Sequence, residues 1–215
     1  MLNYKSIILH WMGHASFRIE DKKSGFLIYI DPYRIPDGLP KADLILVSHS
    51  HPDHLSIEDI MKVVVPGTVV IAASGCLDAL SSLKVSDVLE AVPGSTIDLP
   101  GLRVQAVPAY NMSSQFHPKN NNHVGFMITN SDGVSVYHAG DTDAIPEMAR
   151  IQVDVALLPV AGKYTMDAKS AAEATKIMDV KIAVPMHYGS IIGSDDDARY
   201  FADNAACTVR ILEKD

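Results

Sequence analysis

The sequence predicts an α+β protein, a sandwich of β-sheets with helices outside. Two observations carry that prediction. Short apolar runs separated by turn signals dominate the first half of the chain, whereas strands and helices alternate in the second. Histidine, aspartate and polar residues also gather just after predicted strands, at Asp31, His49, 111–117, Asp141 and His187. One rim would then collect them all, and loops on a rigid scaffold are where chemistry is usually presented.

Residues 6–10 and 16–20 read as short strands, with Gly13-His14 between them. The apolar run 26–30 is a strand closed by Asp31-Pro32, where the aspartate either faces the rim or serves the turn. Residues 44–47 form a buried strand. Residues 56–62 form a helix, with Ser56 as N-cap and Asp59 three residues later as a weak capping box. A strand at 69–73 and a helix at 75–83 follow. Residues 85–107 read as a strand meander with turns at Pro93-Gly94 and Pro100-Gly101. The polar stretch 108–123 holds His117 and His123, and a loop of that length in a compact domain is usually functional or disordered. Strands 125–129 and 134–139 form a hairpin over Ser131-Asp132-Gly133. Then come a helix at 144–150, a strand at 154–159, a helix at 167–178, a strand at 181–185, a helix at 196–204 and a strand at 207–212. No sequence repeat is visible.

The chain has 215 residues, 47% of them hydrophobic, enough for one large domain without an internal boundary. A net charge of −8 argues against a nucleic-acid surface, which shows basic clustering. Cys76 and Cys207 are far apart and unlike a metal-type pair, so both are expected to be reduced thiols. No secretory leader is evident, and no apolar run approaches the ~18 residues a membrane span needs. The expectation is a soluble, cytoplasmic protein with no membrane partner.

The most informative stretch is Leu44 to Ser56. There a buried strand runs into His49, His51, Asp53 and His54, and Pro52 excludes helix. Imidazole is the commonest metal-ligating side chain, and carboxylate joins it in catalytic sites. In extended backbone His49 and His51 point the same way, so their nitrogens can hold one ion. Asp53 and His54 follow the proline turn and can face a second. Four ligands on one loop begin two metal sites, and the remainder must come from distant strand ends.

Taken together, these points resemble the metallo-β-lactamase superfamily over essentially the whole chain. The pattern is Asp31, the His-x-His-x-Asp-His motif at 49–54, a later histidine, Asp141 and His187. The words Trp-Met-Gly-His-Ala-Ser-Phe (11–17) and Tyr-His-Ala-Gly-Asp-Thr (137–142) are similar to small single-domain hydrolases near the ascorbate-6-phosphate lactonases and the N-acylphosphatidylethanolamine phospholipase D group. The resemblance implies an αβ/βα four-layer sandwich with the site at one sheet edge. It implies that His49 and His51 hold one metal, that Asp53, His54 and His187 hold a second, and that Asp141 bridges. Asp31 would sit behind the histidine loop and orient it. Many relatives place a histidine where this chain has Asn111. His117 is the choice for that ligand, His123 is the alternative, and a site lacking the ligand is the third option. His14 and His138 are expected as core or outer-layer histidines, and His10 as structural.

The implied activity is that of a metal-dependent hydrolase with two divalent ions sharing a hydroxide. Zinc suits the ligands best, with manganese or iron as alternatives. Asp53 would position the nucleophile and carry a proton. Lys163, Tyr164 and Thr165 follow a strand and are candidates for binding an anionic group on a small ester, lactone or phosphodiester. Flavodiiron relatives carry Glu at position 51, so redox chemistry is disfavoured. The alternatives are a nucleic-acid phosphodiesterase of the same fold, disfavoured by charge, and a non-catalytic metal-binding protein.

Overall fold

Fourteen strands form two sheets of seven, and in each sheet the strands lie side by side in the order they occur in the chain. The computed structural model describes residues 1–215. In the first sheet β1 (Leu2–Tyr4), β2 (Ile7–Gly13), β3 (Ser16–Asp21) and β4 (Leu27–Ile30) are antiparallel. Parallel strands then extend it: β5 (Leu44–Val47), β6 (Val69–Ala73) and β7 (Asp87–Ala91). The second sheet repeats this plan. There β8 (Thr96–Leu99), β9 (Leu102–Pro108), β10 (Val124–Asn130) and β11 (Ser135–His138) are antiparallel, and β12 (Gln152–Pro159), β13 (Asp179–Met186) and β14 (Thr208–Val209) are parallel.

The two halves therefore share a topology that no sequence repeat announces. The predicted meander over 85–107 also straddles their boundary, because β7 pairs with β6 and belongs to the first sheet. Backbone pairing depends on apolar alternation rather than residue identity, so two halves can share a plan without sharing a sequence.

Helical segments make the parallel crossovers, except that from β4 to β5, where residues 31–43 form an irregular loop. Between β5 and β6 lies α1 (Ile57–Val63), capped by the Ser56 hydroxyl, which accepts the Asp59 amide at 3.3 Å. Asp59 also accepts the amides of Arg34 (2.8 Å) and Ile35 (3.2 Å), so the cap fixes the loop beyond β4. The predicted helix at 75–83 shrinks to a 3₁₀ turn and the single-turn α2 (Leu77–Leu80). The Ser81 hydroxyl bonds the Asp78 carbonyl at 2.7 Å, a side-chain alternative to continuing the helix. The predicted helix at 144–150 is a 3₁₀ helix, Pro146–Arg150. Helix α3 (Ala168–Ile177) is capped by Asp167, and its buried alanines allow a close approach. Helix α4 (Asp195–Asn204) follows β13. The predicted strand at 207–212 is cut to two residues, because the chain then crosses to β2, where the Asp215 amide donates to the Trp11 carbonyl at 2.9 Å.

One apolar cluster runs from Leu9 and Phe17 through Phe126 and Tyr137 to Phe201, joining both sheets and α4. Strand direction decides where the site lies. Two antiparallel steps restore direction, so β2 runs with β4 and β5, and β9 runs with β11, β12 and β13. The C-terminal ends of the first set thus share one edge of their sheet, as do those of the second. Backbone bonds join these edges: the Val124 amide donates to the Ser48 carbonyl (3.1 Å) and the His187 amide to the His14 carbonyl (3.0 Å). No helix is long and apolar enough to cross a membrane.

Candidate metal centre

Six strand ends deliver side chains to this edge: His14 after β2, Asp31 after β4, His49 to His54 after β5, His117 in the loop after β9, Asp141 after β11 and His187 after β13. Gly140 makes the turn into Asp141 possible. It has φ +64, and a Cβ there would stand 2.8 Å from the Val124 carbonyl oxygen.

The side-chain atoms that could ligate a metal fall into three groups, each within 4.8 Å internally: His49, His51 and His117; His14, Asp53, His54 and His187; and His49, His54 and Asp141. Asp141 lies between the first two. Its Oδ2 is 3.5 Å from His117 Nε2, 3.9 Å from His49 Nε2 and 3.2 Å from His187 Nε2, and its Oδ1 is 3.2 Å from His54 Nε2. Yet His54 Nε2, Asp141 Oδ1 and His187 Nε2 are buried and form no hydrogen bond. Buried polar atoms without partners are costly. Atoms this close that do not bond one another fit a divalent cation between them.

Protonation states agree for His49, His117, Asp53 and Asp141, whereas at His54 burial is outweighed by the Asp141 and Asp31 carboxylates, which hold the ring well above the usual imidazole value, so a metal ion there would displace its proton. Burial drives His49 well below the usual imidazole value and His117 down to about 4, so both are neutral at pH 7. For Asp141 burial favours the neutral acid, but His187 and His54 outweigh it and hold the carboxyl well below its ordinary range. Burial opposes ionisation of Asp53 too, yet the His14 bond and the field of His54 bring it to about 2. Neutral imidazoles and ionised carboxylates are the ligating forms.

A supporting layer surrounds these candidate ligands. Asp31, fully buried, accepts from the Ser48 amide (2.8 Å), the Ser48 hydroxyl (2.6 Å) and His54 Nδ1 (2.8 Å), which aims His54 Nε2 at the centre. His123 Nδ1 sits 3.2 Å from His117 Nδ1, leaving the far nitrogen of His117 toward Asp141. The geometry thus groups His117, not His123, with His49 and His51. His138 is buried against the Ala15 carbonyl (2.8 Å), and His10 binds Glu20 and Asp215 away from the centre.

Comparison with known proteins agrees with this geometry. The beta-lactamase superfamily domain matches residues 8–187. This chain belongs to the metallo-β-lactamase superfamily. Among its superfamily relatives, a UPF0173 metal-dependent hydrolase of Thermoplasma acidophilum is 36% identical over 191 residues, covering 84% of this chain and 82% of the relative. A candidate metal-dependent hydrolase from Parabacteroides distasonis has a solved structure that superposes with TM-score 0.84 at 32% identity, over 97% of this chain and 94% of that one. Igni18, a metallo hydrolase from Ignicoccus hospitalis, superposes with TM-score 0.78 at 29% identity, over 97% and 95%. None of these three bears the lactonase or phospholipase D name that the sequence words suggested.

Three features of this superfamily member were not read from its sequence. His14 stands within the second ligand group: its Nε2 is 3.0 Å from Asp53 Oδ2, and its ring centroid is 3.9 Å from that of His187. Asn111, at the position where many relatives are expected to carry a histidine, donates from Nδ2 to the Asp143 carboxylate (3.0 Å) and the Tyr164 carbonyl (2.8 Å), so it braces a loop. Phe116, Ile191 and Ile192 line the cavity beside the ligands together with Tyr164. Lys163, by contrast, is outside that wall, with its Nζ 5.0 Å from the Tyr164 ring centroid. Thr165 is buried and bonds the Met166 carbonyl, facing away from the centre. Apolar residues in a loop carry no motif, which is why this wall escaped notice.

Proposed function

We propose that this chain acts as a hydrolase of small esters, lactones or phosphodiesters, with two divalent cations held side by side. The observation that carries the proposal is Asp141, whose carboxylate faces His49 and His117 on one side and His54 and His187 on the other. His49, His51 and His117 would hold one cation, and Asp53, His54 and His187 the other. Zinc fits this donor set, and manganese or iron are alternatives. Such cations supply Lewis acidity and lower the pKa of water from ~15.7 toward ~7.

The chain's own groups do the rest. Asp53 is partly exposed at the cavity, so it can accept a proton from an attacking water and return it to the leaving group. Burial keeps the His14 ring less basic than usual, and as a neutral imidazole it donates from Nε2 to the ionised Asp53. That bond holds the carboxylate in one orientation. Asp31 does the same for His54.

The test is turnover of lactone, thioester and phosphodiester panels by metal-loaded and metal-stripped protein, with His51→Ala alongside. Turnover is expected only in the loaded wild type, while the variant keeps the wild-type circular dichroism spectrum. Full activity in the stripped protein or in the variant would refute the site.

A further inference from the structure

The cavity beside the ligands has a volume of about 170 Å³, and its wall contains no lysine or arginine. Away from the histidines and carboxylates it is apolar, with Phe116 and Ile191 more than half exposed (56% and 52%) and Tyr164 and Ile192 beside them. Exposed apolar side chains scattered singly mean little, but here they border one catalytic cavity. The wall is also held in shape. The Phe116 and Tyr164 rings meet edge to face with centroids 4.3 Å apart. Tyr164 has φ +70, a conformation a bulky residue adopts only when its surroundings impose it. Asn111 imposes it here by tying the Tyr164 carbonyl and the Asp143 carboxylate to the segment that carries Phe116.

From this wall we infer that the substrate carries an alkyl or aryl arm beside the bond to be broken, and that Phe116, Tyr164, Ile191 and Ile192 receive it. This rests on the hydrolase reading and replaces the expectation of an anionic group bound by Lys163. The polar end of the substrate meets the ligand cluster, and the arm leaves water for the apolar wall. No cation in the wall is available to repay desolvation of a charged arm.

Binding of alkyl hydroxamates to the metal-loaded protein, followed by calorimetry, tests the arm without requiring turnover. From acetohydroxamate to hexanohydroxamate, Kd should fall about 3- to 4-fold per added methylene until the cavity is filled. In Phe116→Ala and Ile191→Ala, with metal content and melting temperature checked, the gain should drop below about 2-fold per methylene, since part of the apolar contact is gone. A series independent of chain length overturns the inference. So does tighter binding of succinic monohydroxamate than of butyrohydroxamate, lost in Lys163→Ala. Chain-length-dependent binding without turnover of any ester, lactone or phosphodiester would sink the hydrolase reading and leave the arm standing. Turnover indifferent to arm length would do the reverse.

Discussion

The amide of His187 donates to the carbonyl of His14 at 3.0 Å, and both residues hold left-handed backbone, with φ +62 and φ +52. Non-glycine residues adopt that conformation at a cost, and such sites concentrate where function demands them. The pair joins the end of β2 in one sheet to the end of β13 in the other. It sets two histidine rings against each other and places His14 Nε2 on Asp53.

His14→Ala should therefore impair the centre without unfolding the protein. Loss of a partner that orients a ligand typically costs 10–100-fold in metal affinity or activity, and about that loss is expected. His14→Gln, which retains an N–H donor, should recover part of it. Equilibrium dialysis against the metal, run beside turnover, separates weakened metal binding from slowed chemistry.

Asp31 is a sterner case, since it is fully buried and its carboxylate serves both Ser48 and His54. Asp31→Ala strands those donors, and breaking a buried charged pair costs about 3–5 kcal/mol. Chemical denaturation should show that loss. Asp31→Asn should destabilise less yet still weaken metal binding, because an amide can offer His54 Nδ1 the wrong hydrogen.

For the first metal group, His117→Ala and His123→Ala should differ. Elemental analysis should find about one ion fewer per chain in His117→Ala. His123→Ala should keep its ions with lower affinity, because the ring it removes steadies His117 from behind. Equal metal content in both variants and the wild type would show that neither ring is a ligand.

Gly125 and Gly140 allow the close approach of β10 to the turn after β11. A Cβ on Gly125 would lie 2.6 Å from the His138 carbonyl oxygen, and one on Gly140 would lie 2.8 Å from that of Val124. Backbone atoms cannot swing aside as a flexible side chain can. Each alanine variant should lose about 1–3 kcal/mol, which lowers the melting temperature by about 2–4 °C per kcal/mol at this chain length. Gly140→Ala should also lose metal, as it displaces Asp141.

Far from the centre, Asp154 accepts from Lys181 (2.6 Å), Tyr4 (2.9 Å), the Ser135 amide (3.1 Å) and Lys5 (3.2 Å). Burial resists its ionisation, but these donors prevail and hold its pKa well below the ordinary value. A carboxyl depressed on folding contributes stability above its unfolded pKa of about 3.9, and that contribution fades as pH falls toward the folded value. Both lysines are exposed, so their share is small. Asp154→Asn should cost about 1–2 kcal/mol at pH 7, with the gap to wild type narrowing below about pH 4. Urea melts across pH 3–7 would reveal it.

Much of the fold was legible because apolar runs and turn residues are local signals. Strands β5 and β6 lie where the apolar runs put them, and Ser56 caps its helix as expected, while Asp167, read as the first helical residue, proves to be the cap of α3. What blurred were elements whose ends depend on distant partners. The last strand stops at Val209 because the chain beyond it pairs with β2, and β7 joins the first sheet through a neighbour that precedes it by a helix.

By itself, the order of residues determined the sandwich and the histidine loop, since periodicity and motif spacing are properties of neighbours along the chain. Tertiary structure alone decided that His14 reaches Asp53 and that the wall of the cavity is apolar, and it set His117, already preferred to His123, beside His49 and His51. Those outcomes turn on which strand ends meet across two sheets. Convergence in space is set by strand direction and packing over the whole molecule, and no local stretch of sequence encodes it.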